Sequence, residues 1–82
     1  MEEGKTYTTE IDVIGTRYQV SATPFSKGEE WRFNVTIQPG NTNTVFQYTQ
    51  TEEWDGLGSE TPGLVPEALA YAIADWLETE DA

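Results

Sequence analysis

The sequence has 82 residues and a formal net charge of −11, because 15 aspartates and glutamates outweigh four lysines and arginines. It contains no cysteine and no histidine, which excludes disulfides, thiolate or imidazole metal sites and histidine acid–base catalysis. A chain of this length predicts a single domain over residues 1–82, stabilised by an apolar core. The surplus of negative charge disfavours direct binding to nucleic acid and favours a basic protein partner.

The beginning of the chain is acidic and polar, and no long apolar stretch follows it. The longest mainly apolar run, residues 68–77, contains Asp75 and is too short to cross a bilayer. We therefore expect no signal peptide, no contact with a membrane and a cytoplasmic location.

Alternating apolar and polar residues predict a first strand over about 5–14 and a second over about 17–23. Gly15-Thr16 lies between them and suits a type II′ hairpin turn. This turn places Val13 opposite Tyr18, and the other inward residues of the two strands also lie opposite one another. A slip by one residue would destroy that agreement.

Two further strands are predicted over about 30–38 and 44–50. Pro24 and residues 26–28 are assigned to the turn before the third strand, and residues 39–43 to the turn before the fourth. Most aromatic side chains are interpreted as core, namely Tyr7, Tyr18, Trp31, Phe33, Phe46, Tyr48 and Trp76.

Residues 51–65 break the alternating pattern and predict a loop. A helix is predicted over about 66–78, and the acidic residues at its C-terminal end, 78–81, are expected to fray. Its apolar stripe comprises Leu69, Ala72, Ile73, Trp76 and Leu77, and Val65 and Ala68 lie near the same stripe. The predicted fold is therefore α+β, with a four-stranded antiparallel meander followed by one C-terminal helix packed on one face.

The densest chemical cluster is Glu52-Glu53-Trp54-Asp55. Oxygen ligands beside a glycine suit calcium, but their spacing does not match an EF-hand loop. The segment is interpreted as a solvated loop or, as the alternative, as a partner-binding loop in which Trp54 is the anchor, unless Trp54 folds back on the core. A two-carboxylate glycosidase would need a cleft that this small fold has little room for. We expect no catalytic residues, no cofactor and no metal.

In size, acidity, lack of cysteine and lack of catalytic apparatus, the chain resembles the small inhibitors that phages make against host defences, including anti-CRISPR proteins and other DNA mimics. The resemblance implies an inhibitor or decoy whose carboxylates occupy the basic surface of a nucleic-acid-binding protein. Reversing Glu52, Glu53 and Asp55 to lysine is then expected to abolish partner capture while leaving the fold intact. The candidate contact residues are Glu10, Asp12, Glu29, Glu30, Glu52, Glu53, Trp54 and Asp55.

Two alternatives remain open. Strands followed by the segment 66–78 are similar to the arrangement of HicB-type antitoxins, although the acidic and glycine–proline signature of those proteins is absent. This similarity implies a regulatory or assembly module whose charge serves mainly solubility, and a homodimer formed through a sheet edge or Tyr71 would favour it. The other alternative is a halophile's adapted surface, for which salt-dependent folding would be the signature.

Overall fold

The computed structural model describes residues 2–50, 52 and 55–81. These residues form an antiparallel sheet in the order β1-β2-β3-β4-β5, followed by a helix. The bounds are β1 Tyr7–Val13, β2 Thr16–Lys27, β3 Glu30–Gln38, β4 Thr42–Gln50, β5 Asp55–Ser59, a 3-10 turn Pro62–Leu64, and α1 Glu67–Asp81. The predicted α+β class, with an antiparallel sheet and a C-terminal helix, is confirmed. The predicted number of four strands is wrong, because the described residues form five.

The core lies between α1 and one face of the curled sheet. Its side chains come from alternate residues of the strands and from one stripe of the helix, as expected for two amphipathic layers. The buried apolar residues are Val20, Ala22, Phe33, Val35, Ile37, Phe46, Leu57, Val65, Leu69, Ala70, Ile73, Ala74 and Leu77. In the described part of the chain, no helix is long and apolar enough to cross a membrane.

The buried stripe of α1 differs from the predicted one. Ala70 and Ala74, which the prediction placed off the stripe, are buried, whereas Ala68, which it placed near the stripe, is exposed. The helix is rolled so that two small side chains face the sheet, which allows its backbone to approach closely. The helix also continues through residues 78–81, which were expected to fray. Within this last turn, the hydroxyl of Thr79 donates a hydrogen bond to the carbonyl oxygen of Asp75 (2.8 Å).

The first hairpin turns one residue earlier than predicted. Asp12 pairs with Arg17, so Ile14 and Gly15 form the turn in place of Gly15 and Thr16. Both turn residues have positive φ, 48° and 78°, which is typical of a type I′ turn and not of the predicted type II′ turn. The predicted register is wrong by two residues. A shift of two keeps every side chain on its own face, so the alternating pattern could not distinguish the two registers.

The turn residue Ile14 gives a direct test of this register. A β-branched side chain at positive φ is strained, and Ile14 is 95% exposed, so it gains no burial in return. We expect Ile14→Asn to raise the free energy of unfolding by about 1 kcal/mol, since asparagine tolerates this conformation. Urea denaturation with an unchanged m value would measure the gain. A loss of stability would instead support the Gly15-Thr16 turn, in which Ile14 is an ordinary strand residue.

Strand β2 continues past its predicted end at residue 23. Pro24, which was predicted in a turn, lies within the strand. Pro24 pairs with Phe33 of β3. On its other side β1 begins only at Tyr7, which is opposite Ala22, so Pro24 has no strand partner there. The carbonyl oxygen of Pro24 accepts a hydrogen bond from the backbone N–H of Gly4 (3.0 Å). The missing N–H of proline therefore costs the sheet no ladder hydrogen bond.

Strand β5 lies within the segment predicted to be a loop, and the 3-10 turn follows it. Leu57 is 2% exposed and pairs with Tyr48 of β4. Gly56 has a φ of +135°, a conformation that favours glycine. The glycines on either side of Leu57 were interpreted as breakers. The strand is specified instead by burial of Leu57 and by pairing with β4.

A cluster of hydroxyl groups holds the chain that leaves β5. Among the described residues, Thr44 is a polar residue whose side chain is buried. Its hydroxyl lies 2.6 Å from that of Ser59 and 2.7 Å from that of Thr61. The backbone N–H of Glu60 also donates to the carbonyl oxygen of Val45 (2.7 Å). These bonds attach the segment to β4 and so fix where α1 begins relative to the sheet.

Candidate functional site

The predicted acidic contact residues lie at two opposite ends of the sheet. Since neighbouring strands are antiparallel, the β2–β3 and β4–β5 connections share one end and the β1–β2 and β3–β4 connections share the other. From Arg17, opposite Asp12, to Lys27, opposite Glu30, strand β2 advances about ten residues, which is roughly 33 Å. We name the first the acidic end, and it carries Glu29, Glu30, Glu52 and Asp55. Glu10 and Asp12 lie near the other end, and Glu53 and Trp54 lie outside the described residues.

The charge of Glu10 and Asp12 is partly compensated by Arg17. Its Nε donates to Asp12 Oδ1 (3.1 Å), and its Nη1 lies 3.8 Å from Glu10 Oε2. The hydrogen bond to Asp12, and then the charges of Asp12 and Glu10, raise the pKa of Arg17 above its ordinary value. All three side chains are largely exposed, so solvent screens the pairs and they contribute little to stability. This region is consequently the weaker candidate for attracting a basic partner.

The acidic end also includes a groove between β5 and α1. The groove has a volume of about 400 Å³ and is open to solvent. Its lining contains three carboxylates and no basic side chain. The lining residues are Asp55, Gly56, Leu57, Tyr71, Ala74, Asp75 and Glu78.

Two of these carboxylates, Asp75 and Glu78, were not among the predicted contact residues. They follow Tyr71 by four and seven residues, a spacing that places all three on one face of a helix. This spacing was the signal in the sequence that could have identified them. Asp55 could be placed beside them only by the structure, because the position of β5 next to α1 depends on the fifth strand.

Two of the bases at the acidic end lie next to Glu30, and a third, Lys5, lies toward this end with its Nζ 5.5 Å from the centroid of the Tyr7 ring. Lys27 pairs with Glu30 across the turn that joins β2 to β3. Arg32 Nη2 lies 3.3 Å from Glu30 Oε2. No salt bridge to Glu29 or Asp55 is present within the described part of the chain. Both carboxylates are exposed, so a partner can reach them.

Trp31 and Tyr48, two aromatic residues at the acidic end, are exposed. The prediction that both belong to the core is therefore wrong. Trp31 precedes Phe33 by two residues and Tyr48 follows Phe46 by two, so all four lie on the helix-covered face of the sheet. Phe33 and Phe46 are buried, whereas Trp31 is 48% and Tyr48 70% exposed. Alternation gives the face of a side chain, but burial depends on what covers it. Of the other predicted core aromatics, Tyr7, Tyr18 and Trp76 are partly buried.

The site therefore combines exposed carboxylates with exposed aromatic rings. Among the described residues, no group of three or more carboxylates is placed to hold a metal ion. Exposed carboxylates beside exposed aromatic rings can attract and bind positively charged groups. Comparison of the chain with protein-family models, with curated proteins and with solved structures finds no match.

Proposed function

We propose that this chain is a non-enzymatic, acidic protein-binding module that acts as an inhibitor or decoy of the DNA-mimic kind. In this proposal it occupies a basic surface of a nucleic-acid-associated protein. One observation carries it, which is the convergence of Asp55, Asp75 and Glu78 around an open groove that no basic residue lines. Helix α1 and strand β5 hold these carboxylates on regular elements, so little conformational entropy is lost when a partner binds.

The electrostatics of the chain favour rapid capture of a basic partner. A net charge of −11 on 82 residues produces an attractive field, and complementary charge raises association rates. Salt screens exposed charges over about 10 Å at 0.1 M, so binding of this kind weakens as ionic strength rises. Phosphate contacts in nucleic-acid complexes show the same dependence on salt.

The experiment that tests the proposal compares two double charge reversals in affinity capture from a bacterial lysate. Asp75→Lys/Glu78→Lys alters the groove, and Glu60→Lys/Glu67→Lys alters exposed acids elsewhere. Each changes the formal net charge from −11 to −7. We expect the groove variant to lose at least about 90% of the captured nucleic-acid-associated protein, and the control to retain most of it, because local complementarity sets affinity. Mass spectrometry of low-salt and high-salt eluates measures both.

Circular dichroism of both variants confirms that they remain folded. Equal losses in the two variants would contradict a groove-specific contact and leave only a general charge effect. Recovery of one small basic toxin in place of a nucleic-acid-associated protein would contradict the decoy proposal and favour the antitoxin-like alternative. Salt-dependent folding of the wild-type chain, without any specific capture, would favour a halophilic surface.

A further inference from the structure

The exposed aromatic pair forms the centre of a row that crosses the sheet at the acidic end. Ser26 of β2 pairs with Trp31 of β3, and Tyr48 of β4 pairs with Leu57 of β5. The register of β3 and β4 continues from its printed pairs to place Trp31 beside Tyr48. We name Trp31 and Tyr48 the aromatic row. Its two large rings are exposed to solvent. The neighbouring cross-strand pair, Phe33 and Phe46, is buried in the core.

Carboxylates lie on both sides of the aromatic row. On the β2 side, Glu3 Oε2 accepts hydrogen bonds from the backbone N–H of Ser26 (2.7 Å) and from its hydroxyl (2.6 Å). The hydroxyl bond, and then the backbone bond, lower the pKa of Glu3, so this carboxylate is charged at neutral pH. On the β5 side, Asp55 precedes Leu57 by two residues. The two rings are therefore flanked by negative charge.

We propose that the aromatic row binds arginine side chains of a basic protein partner. Each guanidinium group stacks on the face of Trp31 or of Tyr48, and the carboxylate on that side of the row, Glu3 or Asp55, accepts its N–H groups. This inference rests on the proposed function, since it names the chemistry by which the same acidic end recognises its partner.

Charge complementarity selects this occupant. A cation over an aromatic ring is attracted by the negative face of the ring, and nearby carboxylates strengthen that attraction. Arginine suits the row better than lysine, because its planar guanidinium stacks on rings while its N–H groups point outward to acceptors. A second copy of the chain is disfavoured, because it would bring two acidic ends of the same sign together.

Titration calorimetry with nona-arginine and nona-lysine peptides on the full chain tests the inference. We expect nona-arginine to bind wild type about three- to tenfold more tightly than nona-lysine. Tyr48→Ala and Trp31→Ala should each weaken nona-arginine binding about three- to tenfold and narrow the preference for arginine. The control is Leu64→Ala, which removes an exposed apolar side chain from the 3-10 turn, outside both the row and the groove, and should change the affinity less than twofold. None of the three substitutions changes the net charge.

Tyr48→Ala is the decisive variant. Because Tyr48 is mostly exposed, its truncation is expected to leave the fold intact. Equal affinity of wild type for the two peptides would overturn the inference, as would wild-type affinity in Tyr48→Ala. Tyr71→Ala alters the lining of the groove, and a larger effect of this variant than of Tyr48→Ala would also overturn the inference and place the contact in the groove. In each case, specific loss of capture by Asp75→Lys/Glu78→Lys would still support the proposed function. Loss of that groove effect, with the arginine preference intact, would contradict the proposed function alone.

Discussion

Phe46→Ala is expected to lower the free energy of unfolding by about 3–5 kcal/mol. Phe46 is fully buried at the centre of the core and lies directly opposite Phe33 in the β3–β4 register. Its truncation removes a large apolar side chain and leaves a cavity that the surrounding strands and helix cannot fully close. Since a domain of this size has a total stability of roughly 4–12 kcal/mol, the variant should be marginally folded. Urea denaturation followed by circular dichroism measures the loss.

Tyr48→Ala is the matched control for Phe46→Ala. Tyr48 is on the same strand and the same face, two residues further on, but it is mostly exposed. We expect a loss below about 1 kcal/mol, because surface substitutions have small effects. Similar losses in the two variants would contradict the exposure of the aromatic row and would support the interpretation of Tyr48 as core.

Leu57→Ala is expected to lower the free energy of unfolding by about 2–4 kcal/mol. Leu57 is 2% exposed, pairs with Tyr48 and belongs to the same buried cluster as Leu69, Ile73 and Leu77. The substitution therefore removes contacts between β5 and the core. Thermal unfolding and urea denaturation should both show the loss.

Leu64→Ala provides the control for the fifth strand. It makes the same chemical change seven residues later, in the 3-10 turn, where Leu64 is 61% exposed. We expect a loss of about 0.5 kcal/mol or less. If Leu57→Ala were no more destabilising than Leu64→Ala, segment 55–59 would be the loop that its glycines predict.

The elements with regular patterns were predicted well from the sequence. Strand β3 has the predicted bounds, residues 30–38, because four inward residues alternate with polar ones and turn residues flank the strand. The inward face of β2 is also correct, and so are Leu69, Ile73 and Leu77 in the helical stripe. In these segments one face is consistently apolar, so local pattern and tertiary packing agree.

The differences arise where the local pattern is compatible with more than one structure. The register of the first hairpin can shift by two residues without moving a side chain to the other face. Strand β5 has only Leu57 as an apolar side chain, and its glycines are typical of loops. Pro24 suits a turn in isolation, and its tolerance within β2 depends on where β1 begins. Each outcome depends on a neighbouring element and not on the segment itself.

The candidate site could be predicted only in part for the same reason. The sequence identified Glu29, Glu30, Glu52 and Asp55, and the structure brings these four to one end of the sheet. The sequence did not show that Asp75 and Glu78 lie in the same groove as Asp55, because this depends on where β5 lies relative to α1. Nor did it identify the aromatic row, whose exposure depends on how far α1 covers the sheet.

Competition with DNA shows whether the acidic end takes the place of nucleic acid on a basic surface. The captured partner is bound to fluorescently labelled DNA, and anisotropy is recorded as the chain is added at low and at moderate salt. The account predicts that the wild-type chain displaces the DNA, that salt weakens the displacement, and that Asp75→Lys/Glu78→Lys displaces it at least about tenfold less effectively. A stable complex that contains the partner, the DNA and the chain together would contradict the account.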